Sequence, residues 1–163
     1  PVAQVPTLVT DQGETITEVA AISVYLFETY GNLDTPIHQI VRQLSFIATE
    51  LHRSFYAIFF AKIIMGEEQA PILAEHFRKR LGHRWKYINN LLPADDDLDG
   101  AELGPADPYL YTTCRWWKAI GENFQAYPNI EAFLVHMEAR ACVQAALKVE
   151  KLDPVAANLA ITE

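Results

Sequence analysis

RQLSFIATELHRSFY, residues 42–56, lies in the middle of the longest helical pattern in the chain and carries two stripes at once. Leu44, Ile47, Ala48, Leu51 and Phe55 recur at spacings of three and four, the period of a buried helix face. Arg42, Ser45, Thr49, His52 and Tyr56 repeat the same period one residue on, a set rotated by ~100° on an α-helix of 3.6 residues per turn. Water alone would not require hydroxyls, an imidazole and a phenol in that order. The second stripe is therefore expected to line a cleft.

Working upstream, VPTLV at 5–9 and a second short run at 14–16 flank Asp11-Gln12-Gly13, which is turn chemistry, so a β-hairpin is expected. Pro6 is out of place in a plain strand, because it donates no ladder hydrogen bond; it implies an edge, a bulge or a cis bond. Thr17 can cap a helix over 18–30 that ends at Gly31-Asn32. Thr35 can cap the next, with Pro36 at its first position, and the pattern runs to about residue 64 before Met65-Gly66 breaks it.

Downstream, a helix opening at Pro71 holds the stripe Leu73, Phe77, Leu81, Trp85, Ile88 and Leu92. The acidic run PADDDLDG at 93–100 reads as a solvated loop. A helix follows over 105–120, then Tyr127-Pro128-Asn129 opens a pattern that continues, with a break near Arg140, to residue 150. The last dozen residues are weakly patterned. No repeat is present, and the natural boundary falls at 31–36, between a hairpin with one helix and an all-helical remainder. Two strands and a helix are too little for an independent layer, since an isolated hairpin is marginal in water.

The chain has 163 residues, half of them apolar, with 8 Phe, 7 Tyr and 3 Trp, enough to bury a real core. A formal net charge of −8 and a pI near 5.1 argue against nucleic acid or an anionic membrane as partner. Two cysteines, Cys114 and Cys142, make no disulfide framework and suggest a reducing compartment. Neither a membrane span nor a signal peptide is evident, so a cytoplasmic protein is expected. His38, His76, His83 and His136 show no ligand spacing, and no metal site is expected.

Four stretches, in order, resemble the glutathione S-transferase family, the bacterial beta class most closely: VPTLVTDQGETITEVAAISVYL at 5–26, LSFIATELHRSF at 44–55, GAELGPADPYLYTTCRWW at 100–117 and YPNIEAFLVHMEARACVQAALK at 127–148. The resemblance implies a mainly α fold: a glutathione-transferase C-terminal helical domain at 36–150, a residual β-hairpin plus helix of a thioredoxin-like domain at 1–31, and a tail at 151–163. It implies that the chain opens inside the thioredoxin-like domain, with Pro1 in the family's Asn-Pro position, Ala3 where glycine is usual and Gln4 where a basic residue is common. The first half of that domain, with the segment that supplies the beta class with its catalytic cysteine, is then absent. Cys114 and Cys142 match no catalytic position and are expected to be packed thiols.

The resemblance also implies a glutathione site. Val5, before a cis Pro6, matches the strand residue whose backbone pairs with the tripeptide as an added strand. Glu18 matches the acid that accepts the γ-glutamyl ammonium. Val19 stands where the family usually has a serine for the γ-glutamyl carboxylate; the N–H survives and the hydroxyl is lost. His52 matches the beta-class histidine near the glutathione sulfur, a supporting catalytic role, and Ser45, Thr49 and Arg53 match residues facing the same cleft. Tyr56 and Trp116, with Trp117, Tyr109 and Tyr111 nearby, are candidates for a hydrophobic acceptor pocket, although aromatics at helical spacing also suit a plain core. Gly104 to Asp107 match the family's capping box with Gly at the cap, Asp107 reaching back to its N–H.

The expected activity is conjugation or thiol exchange of glutathione, as co-substrate and with no other cofactor, with a small hydrophobic electrophile, if the N-terminal half exists. The alternative is a non-catalytic ligand-binding or interaction domain of the same fold. A homodimer is expected, because the hairpin needs a covering partner.

Overall fold

The computed structural model describes residues 5–31, 35–92 and 103–156. The expectations for residues 1–4, Asn32, the acidic run at 93–100 and the end of the tail lie outside them. The hairpin forms from β1 (Thr7–Val9) and β2 (Thr15–Thr17), antiparallel, with Thr7 opposite Thr17, Leu8 opposite Ile16 and Val9 opposite Thr15. Thr10 and Gly13 close its turn: the Gly13 N–H donates to the Thr10 carbonyl at 2.9 Å, and Gly13 sits at φ 82°, where a side chain is disfavoured. The Val5–Pro6 bond is cis.

Helix α1 spans Val19–Tyr30, and its start corrects the expected cap. Thr17 is still paired in β2, which leaves a single residue to turn the chain into the helix. Glu18 does so at φ 72°, ψ 124°, a left-handed conformation for a non-glycine, and no side chain caps the helix. Helix α2 spans Ile37–Phe46 with Pro36, rather than Thr35, at the cap.

From α2 the chain continues without a loop into a π-helical turn over Ile47–His52 and then α3, Arg53–Phe59. Helix α4, Ala61–Leu91, contains the expected break: Gly66 takes φ 77°, ψ 166°. The helix resumes directly after Gly66, so Pro71 falls about one turn into it rather than at its start.

Helix α5 spans Asp107–Ala119, and Asp107 is wholly buried with its Oδ2 accepting the Gly104 N–H at 2.7 Å. Half of the reciprocal capping box is therefore kept. Helices α6 (Pro128–Ala139) and α7 (Ala141–Glu150) are separated at Arg140, which is extended.

The core gathers the first stripe of the opening stretch, Leu44, Ile47, Leu51 and Phe55, against Leu81, Trp85 and Ile88 of α4, Leu110, Cys114 and Trp117 of α5, and Phe133, Leu134 and Met137 of α6. Fully burying each large aliphatic or aromatic side chain contributes about 1.5–3 kcal/mol. Polar ties join the same elements. The Glu50 carboxylate accepts from Arg80 Nη2 at 2.8 Å and Arg84 Nη2 at 2.7 Å, fastening the π-helical turn to α4. Asn129 Nδ2 donates to the Asn89 and Leu92 carbonyls, both at 2.8 Å, joining the end of α4 to the start of α6. Among the described residues, no helix is long and apolar enough to cross a membrane.

Candidate functional site

A cleft of about 790 Å³ opens between the hairpin end and the long helix, lined by Val5, Pro6, Glu18, Val19, His52, Arg53, Tyr56 and Tyr109, with Thr17, Ala20 and Ala48 between them. Four separate parts of the chain supply it. The chain at Val5-Pro6, just before β1, gives one edge, the one-residue turn at Glu18 and the first residue of α1 give a second, the end of the π-helical turn with α3 gives the wall, and Tyr109 of α5 stands behind it.

His52 is half-buried on that wall. Its Nδ1 lies 2.7 Å from the Tyr109 hydroxyl, and its ring stands edge-on to Trp116 at 4.9 Å and 80°. Burial pushes the imidazole pKa down from its ordinary 6.5, which favours the neutral ring at pH 7. Tyr109 is pushed up to about 12, first by burial and then by the negative charge of Glu18, so its hydroxyl keeps its proton. Arg53, the next residue, is exposed at the cleft mouth.

Ser45 and Thr49 do not join this cleft. The Thr49 hydroxyl donates to the Ser45 carbonyl at 2.9 Å, and Ser45 lies along a different hollow, of about 430 Å³, between α1 and α2 with Val24, Tyr25, Ile37 and Val41. The cause is the π-helical turn, in which the Arg53 N–H bonds the Ala48 carbonyl five residues back. An extra residue in one turn rotates everything downstream by ~100°, so His52 and Tyr56 leave the face that Ser45 and Thr49 occupy.

The aromatic candidates divide. Tyr56 is half-exposed and lines the cleft. Trp116 stands T-shaped to His52 and borders a second cavity, of about 640 Å³ and mostly apolar, between α5, α7 and the segment at 152–155. Trp117 is core, its indole N–H donating to the Asn123 carbonyl at 3.0 Å. The Tyr111 hydroxyl donates to Glu138 at 2.8 Å. Glu138 also accepts the Val155 and Ala156 N–H groups at 2.7 and 2.8 Å, which ties the last described residues to α6.

The cysteines need one correction. Cys114 is fully buried, and burial pushes its thiol well above the ordinary range, as befits a packed thiol. Cys142 is exposed, because Leu147 is the one residue of α7 that is fully packed and the helix leaves most of its surface outside. Among the described residues, no group of three or more His, Cys, Asp or Glu side chains is gathered to hold a metal ion.

Sequence reasoning placed Tyr109 only among acceptor-pocket candidates and missed it as the partner of His52. The two stand 57 residues apart on different helices, and no periodicity links them.

No protein-family model matches the chain. The chain is 35% identical over 159 residues to glutathione S-transferase GstA of Escherichia coli O157:H7, an alignment covering 93% of this chain and 76% of that protein. Its structure resembles the bacterial beta-class glutathione S-transferase of Sphingomonas chungbukensis, with a TM-score of 0.77 at 28% identity over 92% of this chain and 75% of the other. It resembles a sphingomonad glutathione S-transferase complexed with glutathione to a similar degree, TM-score 0.75 at 29% identity over 92% and 75% of the two chains.

Proposed function

The chain belongs to the glutathione S-transferase family, and on that premise we propose that it binds glutathione in the cleft beside His52 and transfers it, by conjugation or thiol exchange, to a small hydrophobic electrophile. One observation carries the reading: Val5, Pro6, Glu18, Val19, His52, Arg53 and Tyr56, drawn from three elements, line a single cavity.

Each wall suits one part of the tripeptide. The backbone at Val5, just before the cis bond to Pro6, offers its N–H and C=O to the cysteinyl unit in the manner of an added strand. Glu18 offers a carboxylate to the γ-glutamyl ammonium. The N–H groups in the first turn of α1, starting at Val19, face the γ-glutamyl carboxylate with the favourable end of the helix dipole.

At the sulfur, the neutral His52 ring supplies a hydrogen bond and Arg53 a positive charge, both of which favour the thiolate. The thiolate attacks the electrophilic atom, the new bond to sulfur forms, and the electron pair leaves with the displaced group or, in thiol exchange, with the departing sulfur. Tyr56 and Trp116 offer the apolar surface a hydrophobic electrophile requires.

Calorimetric titration with glutathione tests the reading, with His52→Ala alongside. Binding in the millimolar range or tighter is expected, and His52→Ala should slow turnover of a chromogenic electrophile by roughly 10- to 100-fold, the worth of one hydrogen bond to a charged group. Absence of any heat of binding at millimolar glutathione would overturn the proposal.

A further inference from the structure

We propose that Tyr109 is a positioning residue: its hydroxyl donates to His52 Nδ1 and thereby fixes the imidazole as the Nε2–H tautomer, a hydrogen-bond donor facing the cleft rather than a base. The inference rests on the glutathione reading only for what Nε2–H meets in the cleft.

The contact is 2.7 Å long, short enough to require one proton between the two atoms. A neutral imidazole has one N–H and a tyrosine one O–H, so two arrangements are possible. In one, Nδ1–H donates to the phenol oxygen and the tyrosine proton must find a different acceptor. In the other, the O–H donates to Nδ1 and the ring proton resides on Nε2. Among the described residues the Tyr109 hydroxyl has no hydrogen-bond partner besides His52. Burial and the charge of Glu18 both keep the phenol protonated, so it has a proton to give, and among the described residues His52 Nδ1 is the acceptor within its reach.

The pairing is built into α5. Tyr109 and Trp116 are seven residues apart, two turns of one helix, and so share a face; the first reaches His52 Nδ1 and the second holds the ring edge-on at 4.9 Å. The start of α5 is itself anchored by the bond from Gly104 N–H to Asp107, two residues before Tyr109. A ring clamped on one edge and bonded at one nitrogen keeps one orientation. For a thiolate, an Nε2–H donor is a stabilising partner; it cannot take the thiol proton, which must leave to solvent.

Long-range proton–nitrogen correlation spectra of protein carrying nitrogen-15 histidine, in mildly alkaline buffer without glutathione, read the tautomer directly, His52 being the signal lost in His52→Gln. The expected spectrum has Nε2 protonated and Nδ1 bare, and Tyr109→Phe should convert it to a mixture of tautomers while lowering kcat more than it changes KM for glutathione. An Nδ1–H signal in the native protein, or a His52 signal unchanged by Tyr109→Phe, would sink the inference; the native spectrum suffices if the variant does not fold. A protein with the Nε2–H tautomer that fails to bind glutathione overturns the proposed function and leaves the positioning role standing.

Discussion

Val19 is the residue at which the cleft departs from what the family resemblance leads one to expect. It lines the cavity as the first residue of α1, with an isopropyl group in place of a hydroxyl on its own side chain. A carboxylate short of one charge-assisted hydrogen bond loses about 1.5–3 kcal/mol, or ~10- to 100-fold in affinity. Val19→Ser is therefore expected to tighten glutathione binding by that factor in a calorimetric titration; an unchanged affinity would place the γ-glutamyl carboxylate elsewhere. Residues whose role is set by neighbours in sequence were legible without coordinates: Asp107 reaches the Gly104 N–H across three positions, as the capping pattern implies. Residues whose role is set across the fold were not. Tyr109 becomes the partner of His52 only when α5 is laid against the π-helical turn, and Cys142 is exposed because α7 leaves most of its surface outside, a fact about helix placement that composition does not carry.

At the scale of elements, apolar periodicity found every helical stretch, because burial of one face is what makes a short helix stable, but the stretch read as one helix to about residue 64 divides at Phe60 into α3 and α4. Their ends were harder. Thr17 and Thr35 are both good caps by type, yet β2 runs up to α1 and keeps Thr17 in the sheet, and Pro36 takes the place next to α2. The π-helical turn left no trace in the pattern, since IATELH suits an α-helix as well. What holds that turn to α4 is Glu50, whose carboxyl is held below its ordinary 4.5 chiefly by the Arg84 hydrogen bond and also by Arg80, against an opposing effect of burial. A depressed folded-state pKa means that the ionised form favours the fold: the contribution is complete above the unfolded value and fades as pH falls through the folded one. With both arginines about one-third exposed, screening limits it to a few tenths up to about 1 kcal/mol. Glu50→Gln should accordingly lower stability to urea near neutral pH, and the gap from the native protein should close below about pH 4.5. A gap that persists in acid would point to packing rather than charge.

The whole molecule has a well-packed helical side and a thin one. Its sheet, among the described residues, is two strands of three residues, and Val5 and Val9 are 92% and 64% exposed. Tyr56, Phe59, Phe60 and Ile63 add an apolar ridge at the other end of the cleft wall. An exposed apolar surface of this kind favours a covering partner, and we propose that a second copy of the chain covers it. Sedimentation velocity should give about twice the 18.4 kDa chain mass; a monomer at tens of micromolar would count against it. The helical side also explains how the chain can hold a cleft at all. Residues up to Phe46 serve α1 and the core, residues from His52 serve α5 and the cleft, and the six of the π-helical turn, Ile47–His52, contain one more than an α-helix would need. What those six residues hold fixed is a number. Exchanging one side chain there alters a contact, whereas adding or removing a residue alters the bearing of every contact beyond it, so this helix tolerates spelling changes and not changes of length.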